Sequence, residues 1–326
     1  MVILLFRALK PLMMVGLLSA VFLMGGCSQI AVLDPKGPVA SQQRDLILLS
    51  IGFMLFIVAV VFVLFTVMIV KYRERKDRKS PYSPEVEGNT FLEVVWTVVP
   101  ILIVIALSVP TVRTIYSLEE APKASKDKEP LVVYATSVDW KWVFSYPDQN
   151  IETVNYLNIP TDRPIKFKIT SADSMASLWI PQLGGQKYAM AGMDMEQYLQ
   201  ADKVGTYQGR NANFTGEGFA EQTFNVKAMK QSDFNKWVSK TQKTAPKLTK
   251  NKYDELMLPK HADKLTFSST HLKYVNHGND AEYAIKARER LGWEPKSPHS
   301  KSDPFANVKT ENNEKQTDES KDRDSQ

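Results

Sequence analysis

The stretch Leu46–Val70, with the sequence LILLSIGFMLFIVAVVFVLFTVMIV, contains no charged side chain. As a helix it is long enough to cross the roughly 30 Å hydrocarbon core of a bilayer. A second apolar stretch, Phe91–Val109, carries Glu93 near its start and Pro100 along its length. A membrane helix tolerates a carboxylate at the interface, and a neighbouring helix or water can satisfy the backbone carbonyl that a proline frees. The two stretches predict a membrane hairpin with transmembrane helices over 46–70 and 91–116.

The loop between these helices, predicted over 71–90, begins with the basic run KYRERKDRK at Lys71–Lys79. Lysine and arginine concentrate on the cytoplasmic side of membrane proteins. We therefore expect this loop in the cytoplasm and the chain on both sides of the hairpin outside it. The alternative is a hairpin buried inside a large soluble protein.

The first residues have the order of a secretory signal. Arg7 and Lys10 precede the apolar run Pro11–Met24, and two glycines follow directly before Cys27. The sequence Met24-Gly25-Gly26-Cys27 resembles a bacterial lipobox, in which the cysteine becomes the lipid-modified N-terminus. We expect a lipoprotein signal peptide over 1–26, lipidation at Cys27 and an extracytoplasmic segment over 27–45. The alternative is an inert cysteine in an uncleaved anchor.

Charge and cysteine content limit the partners and the covalent chemistry. The 326 residues carry a formal net charge of +5, which by itself could suggest nucleic acid as a partner. Much of the basic charge lies in the loop after Val70, where membrane topology explains it, so no nucleic-acid partner is expected. A single cysteine cannot form an intramolecular disulfide.

Residues 131–228 change to short apolar segments with turn residues between them, such as Pro147–Asn150 and Pro160–Arg163. Many short strands at close spacing without a long helix predict an antiparallel sandwich or barrel. The predicted strands are Leu131–Thr136, Trp140–Tyr146, Glu152–Asn158, Pro164–Thr170, Leu178–Pro181, Gln186–Met190, Tyr198–Ala201, Gly205–Gln208 and Glu221–Val226.

A partly helical extension is predicted over 229–293. Its helices are expected at Asp233–Lys243, Asn251–Leu258 and Ala281–Gly292. Residues 294–326 have few apolar side chains and mixed charges, which predicts a disordered tail.

Several motifs together resemble subunit II of the haem-copper terminal oxidases. The resemblance covers about Leu46 to Ala228 and implies a helical hairpin that carries an all-β, cupredoxin-like Greek-key sandwich. The matching segments are Glu93-Val94-Val95-Trp96-Thr97-Val98-Val99-Pro100, Pro110–Tyr116, the aromatic run Trp140–Tyr146, Ile169–Gly185 and Gly205–Gly209.

The chain departs from this family at the copper site. In the cytochrome c oxidase branch, the resemblance implies a dinuclear copper centre held by two thiolates, two imidazoles, a thioether and a backbone carbonyl. The positions that match those ligands and the residue between the two thiolates are Ala176, Asn211, Asn213, Thr215, Phe219 and Gln222. The four histidines all lie beyond the sandwich, at His261, His271, His277 and His299. We therefore predict no catalytic, cofactor-binding or metal-binding residue in this chain, because copper of this kind needs soft thiolate and imidazole ligands.

A subunit II without copper ligands resembles the quinol oxidase branch. The resemblance implies a respiratory complex that oxidises quinol and reduces oxygen to water with proton translocation. Haem and copper are then expected in a partner, the catalytic subunit I, and further partners are the other oxidase subunits, quinol and membrane lipid. The expected location is the bacterial cell membrane, as a multi-pass lipoprotein with its C-terminal domain outside. The alternative function is a non-redox structural or assembly lipoprotein that reuses the cupredoxin fold.

The aromatic run allows two interpretations. Trp140, Trp142, Phe144 and Tyr146 could form an aromatic path or a docking face for the catalytic subunit. The simpler interpretation, which we favour, is that alternate residues fill the sandwich core and the others meet a subunit interface.

Overall fold

The computed structural model describes residues 30–73 and 88–293. Two long helices come first, α1 at Pro38–Tyr72 and α2 at Thr90–Leu118. Proline at the first position favours the start of α1, and the Asn89 side chain accepts a hydrogen bond from the Leu92 N–H at the start of α2. Both helices are apolar and long enough to cross a membrane by length and composition. Cys27, most of the basic loop and the predicted tail lie outside the described residues.

Eleven strands form two sheets in the described part of the chain. The first sheet has the order β11-β3-β2-β1-β5-β8 and the second has the order β4-β10-β9-β6-β7. The strands are β1 Leu131–Val138, β2 Lys141–Tyr146, β3 Ile151–Val154, β4 Tyr156–Pro160, β5 Ile165–Ser171, β6 Ala176–Trp179, β7 Lys187–Ala189, β8 Met195–Leu199, β9 Gly205–Asn211, β10 Thr223–Met229 and β11 Leu265–Phe267. The structure confirms the predicted two-helix segment with a cupredoxin-like sandwich, but β1 with β5 and β4 with β10 are parallel pairs.

The predicted strand Glu152–Asn158 is wrong as one element. The chain breaks at Asn155, whose φ of 57° is left-handed, so that β3 belongs to the first sheet and β4 to the second. Asparagine tolerates this conformation. Its side chain also fixes the break, because it accepts a hydrogen bond from the Trp142 N–H at 2.9 Å and donates one to the Ala262 carbonyl at 2.6 Å.

The main hydrophobic core lies between the two sheets. Trp142, Phe144 and Tyr146 of β2 belong to it, and Phe224 of β10 packs against Trp142 and Phe144 with ring centroids 5.9 and 4.9 Å away. The favoured interpretation of the aromatic run is therefore correct for these alternate residues. The expectation that the other residues meet a subunit interface is wrong for Lys141 and Val143, because the chain's own extension covers that face of β2.

The C-terminal extension contains the helices α3 Gln231–Thr244, α4 Lys250–Leu256 and α5 Tyr283–Arg290. Phe234 and Trp237 of α3 pack at one end of the sandwich against Tyr146. A second hydrophobic cluster joins the outer face of the first sheet to the extension; it includes Val138, Val143, Val154, Tyr253, Met257, Phe267 and Ala287. The main core and this cover together bury every residue of β2.

The start of α1 is joined tightly to the sandwich. The Lys36 N–H donates to the Gln182 carbonyl, and the Lys36 carbonyl accepts from the Asp202 N–H, both at 2.8 Å. At Gly37 a Cβ atom would overlap the Gln200 carbonyl oxygen, so only glycine fits this approach. Val39 then enters the main core of the sandwich.

Candidate functional site

The positions that match copper ligands meet at one end of the sandwich. There β6 pairs with the last residues of β9, and the Ala212 N–H donates to the Ser177 carbonyl at 3.0 Å. Ala176 lies at the start of β6 and Asn211 at the end of β9. The loop from Asn211 to Gln222 closes on itself, since the Asn211 N–H donates to the Gln222 carbonyl at 3.0 Å.

The Asn211 side chain is the centre of this end of the sandwich. Its exposed fraction is 2%. Its Oδ1 accepts from the backbone N–H groups of Ser177 at 2.8 Å and Asn213 at 2.9 Å. Its Nδ2 donates to Gln222 Oε1 at 2.7 Å and Thr215 Oγ1 at 3.2 Å. The amide group thus ties β6 to both ends of the loop.

Gln222 extends this network to the first sheet. Its exposed fraction is 1%, and its Nε2 donates to Ser137 Oγ of β1 at 2.9 Å. The Trp140 indole N–H donates to the Thr215 carbonyl at 3.1 Å. Hydrogen bonds therefore join the loop to β1, β6 and the turn between β1 and β2.

The donor set of this network does not fit a thiolate copper centre. Amides and a hydroxyl are hard, neutral groups, whereas such copper sites use thiolate and imidazole. Ala176 offers no donor atom. Phe219 contributes only its ring, which packs against Phe214 with the centroids 5.6 Å apart. These neutral hydrogen bonds hold the loop from Asn211 to Gln222 together and fix it to β1 and β6.

The three histidines of the described residues lie in the extension rather than in this network. His261 stacks on Trp140, with ring centroids 5.5 Å apart, and its Nε2 lies 3.0 Å from Glu221 Oε2. His277 bonds the Tyr253 hydroxyl at 2.7 Å, and burial lowers the pKa of His277 to about 3. His299 and Cys27 lie outside the described residues.

His271 joins the extension to the first sheet through a buried carboxylate. Glu152 of β3 is fully buried, and its Oε2 lies 2.7 Å from His271 Nδ1. The same oxygen accepts from the His271 N–H at 2.8 Å and from Ser145 Oγ at 2.7 Å. The Tyr253 ring stacks on His271 at 4.5 Å. Among the described residues, no group of three or more histidine, cysteine, aspartate or glutamate side chains could hold a metal ion.

A buried charge cluster beside the network was not predicted from the sequence. Arg288 of α5 donates from Nη2 to Asp139 Oδ2 at 2.7 Å and also to Asp173 Oδ2. Lys141 is fully buried beside this group. One signal was available, because Lys141 is the only charged residue in the aromatic run Trp140–Tyr146.

Burial changes the proton affinity of this cluster. Burial and the neighbouring charge of Asp173 raise the pKa of Asp139 to about 7. Burial alone would raise the pKa of Asp173, but hydrogen bonds from Asp139 and Arg288 outweigh it and lower that pKa below its usual value. Burial lowers the pKa of Lys141 to about 8. Burial therefore moves the pKa values of Asp139 and Lys141 towards neutrality, whereas the pKa of Asp173 moves away from it.

Comparison with known proteins identifies the family. Residues 27–114 match the family model "Cytochrome C oxidase subunit II, transmembrane domain". Quinol oxidase subunit 2 of Bacillus subtilis (strain 168) is 75% identical over 308 residues, which cover 94% of this chain and 96% of that protein. The protein of the same name from Bacillus anthracis is 53% identical and covers 79% and 89% of the two chains.

One solved structure is similar to part of this chain. The periplasmic domain of subunit II of a cytochrome oxidase from Bradyrhizobium japonicum is 24% identical, with a TM-score of 0.34, and covers 37% of this chain and 95% of that one. The assignment rests on the curated relatives, since the Bacillus subtilis protein is 75% identical over 94% of this chain. The protein is a membrane protein and belongs to the quinol oxidase subunit 2 family, as subunit II of a haem-copper oxidoreductase complex.

Proposed function

We propose that this chain is the copper-free subunit II of a respiratory terminal oxidase that oxidises quinol and reduces oxygen to water with proton translocation. The observation that carries the proposal is the hydrogen-bonded network of Asn211, Thr215 and Gln222 at the positions of the copper ligands. Each of these polar groups is satisfied by another protein group, so the network does not need a metal to hold the loop.

The chemistry of the substrate fits a subunit of this kind. A quinol is lipophilic, carries electrons together with protons, and reaches a membrane-embedded catalytic subunit from the bilayer. No copper relay at the aqueous surface is needed on that route. The haems and the oxygen-reducing copper then belong to the catalytic subunit I, and no electron passes through residues of this chain.

The role of this chain is to support the catalytic subunit and the other oxidase subunits. Helices α1 and α2 expose apolar side chains along most of their length, which suits contact with lipid and with further membrane helices. We propose that Cys27 carries a lipid as an additional membrane anchor, and that the sandwich lies outside the cell.

Oxygen uptake by the purified complex tests the proposed function. We expect turnover with a short-chain quinol and none with reduced cytochrome c. Near-infrared absorption from a mixed-valence copper pair, assigned to this subunit, would contradict the copper-free proposal. Isolation of the chain as a haem-free protein in a mild detergent would instead favour the structural or assembly lipoprotein.

A further inference from the structure

An apolar groove lies between the first turns of α1 and the sandwich. Its volume is about 590 Å³, and its apolar lining consists mainly of Val32, Leu46, Ile47, Trp179 and Pro181. We call it the junction groove. These five residues are only half-buried, so the described part of the chain leaves apolar surface uncovered here.

The junction groove suits hydrocarbon and does not suit an anionic headgroup. None of the described residues that line it is charged. The cations of the neighbouring segments already have partners, because Arg44 pairs with Asp45 at 2.7 Å and Lys36 with Asp34 at 2.6 Å. Covering the groove with an acyl chain removes apolar surface from water without burying a charge.

The groove lies where α1 enters the membrane. Leu46 is the first residue of the uncharged run that ends at Val70, and Arg44 and Asp45 come directly before it. Trp179 stands on the sandwich side of the groove, and tryptophan is typical of the boundary between membrane and water. An acyl chain in the groove can therefore continue into the hydrocarbon of the bilayer.

The segment before α1 forms one wall of the groove and is held on the sandwich. It contains a short helical turn at Ala31–Leu33. The Lys36 N–H donates to the Gln182 carbonyl at 2.8 Å, and Gln182 Nε2 donates to Asp34 Oδ2 at 3.3 Å. These hydrogen bonds fix the turn beside the groove.

This segment doubles back along α1. Val32 shares the groove with Leu46 and Ile47, which come eight and nine positions after Pro38, about 12 Å along the helix axis. Followed backwards from α1, the chain therefore returns towards the membrane by Val32. Cys27 lies five positions before Val32. Five residues span at most about 18 Å, so a lipid on Cys27 begins within reach of the groove.

We propose that one acyl chain of the lipid on Cys27 lies in the junction groove and covers the apolar surface between α1 and the sandwich. The inference rests on the proposed lipidation of Cys27 and goes further, because the lipid then holds the sandwich against α1 as well as anchoring the chain. A membrane phospholipid would bring a phosphate to a groove lined by uncharged residues. A chain attached at Cys27 brings none.

Photo-crosslinking of the purified complex tests which acyl chain fills the groove. Cells are fed a fatty acid that carries a diazirine, which enters both the lipid on Cys27 and the membrane phospholipids. The complex is irradiated, digested and analysed by mass spectrometry. We expect the peptide that contains Trp179 to be joined to the Cys27 lipopeptide. Leu55 of α1, whose exposed fraction is 64%, should be joined to phospholipid and serves as the internal standard.

Two variants that keep Cys27 form a matched pair. Val32→Asp places a carboxylate in the wall of the groove, where a charge is costly to cover with hydrocarbon, so the cross-link between Cys27 and Trp179 should fall by at least about tenfold. The fatty acid on Cys27 should remain. Leu33→Asp changes the next residue, which is not part of the lining, and should leave the cross-link unchanged.

The outcomes separate this inference from the proposals on which it rests. Phospholipid in place of the Cys27 lipopeptide at Trp179 in the wild type would overturn it, as would a cross-link that Val32→Asp does not weaken. A labelled Cys27 without any cross-link to the groove would overturn it and leave lipidation intact. A wild-type Cys27 without fatty acid would refute lipidation and this inference together, but not the proposed oxidase function.

Discussion

At the scale of single residues, the Asn211 amide has four hydrogen-bond partners, as many as the Gln222 amide. It serves two backbone N–H groups, one amide oxygen and one hydroxyl at once. A buried polar group that loses its partner costs about 1–3 kcal/mol of stability. The loss of stability on removing the Asn211 side chain therefore depends mainly on the buried polar groups that lose their hydrogen-bond partner.

We predict that Asn211→Ala lowers the free energy of unfolding by about 2–4 kcal/mol, because the Ser177 N–H and Gln222 Oε1 lose their buried partner. Thermal unfolding of the detergent-solubilised complex measures the change. Oxygen uptake per folded complex with quinol should stay within about twofold of the wild type. As a control, Asn225→Ala at a half-buried position of β10 should cost less than half as much. A large loss of turnover at unchanged stability would show that the network acts in electron transfer.

From the sequence, this end of the sandwich was predicted only as a set of positions where other residues replace the copper ligands of the family. It identified Ala176, Asn211, Thr215 and Gln222 as positions without copper ligands, and the structure brings these residues to one end of the sandwich. It could not predict the charge cluster, because Asp139 and Asp173 are distant in sequence from Arg288. The ion pairs of Arg288 with Asp139 and Asp173 depend on how the extension packs against the sandwich, and no local sequence pattern predicts that packing.

At the scale of elements, α3 closes one end of the sandwich with an aromatic cluster. Trp237 lies 5.5 Å from Tyr146 in an edge-to-face arrangement and 5.5 Å from Phe234, measured between ring centroids. The opposite side of α3 is polar and solvent-exposed. The helix is therefore held by one apolar face, as its spacing of apolar residues predicts.

We predict that Trp237→Ala lowers the free energy of unfolding by about 2–3 kcal/mol, less than for a fully buried tryptophan because this side chain is half-buried. Chemical denaturation followed by circular dichroism measures the loss. Lys236→Ala, one residue earlier on the exposed side, should change stability by less than about 0.5 kcal/mol. Equal effects of the two variants would mean that α3 does not depend on its aromatic face.

The elements were predicted unevenly for physical reasons. Helices α1 and α2 follow from apolar length alone, and the predicted helix Asp233–Lys243 lies inside α3. The break at Asn155 was missed, since a single left-handed residue leaves the alternation of apolar residues almost unchanged. Strand β11 is only three residues long and exists because its neighbour β3 offers an edge.

At the scale of the whole molecule, membrane attachment has two independent sources. The apolar helices α1 and α2 form one, and the proposed lipid on Cys27 forms the other. Two transmembrane helices bind a membrane far more strongly than a lipid anchor does. The lipid should therefore affect processing more than attachment.

We predict that Cys27→Ala abolishes labelling of this chain with a radioactive fatty acid but leaves it in the membrane after a carbonate wash at high pH. Cys27→Ser is a matched control, because it also removes the thiol and keeps a small polar group. Fatty-acid labelling that persists in both variants would contradict lipidation at Cys27. Release of either variant into the soluble fraction would contradict the two transmembrane helices.

The tight junction at the start of α1 has a practical consequence for anyone who wishes to study the outer part of this protein by itself. Val39 packs so closely on Gly184 that a Cβ atom at this glycine would lie 3.1 Å from Val39 Cγ1, with the Leu199 side chain on the same spot. A water-soluble fragment that starts after α2 lacks Val39 and exposes to solvent the apolar side chains that Val39 covers. Such a fragment will tend to self-associate, and a short peptide with the sequence around Val39 is the natural additive to keep it monomeric.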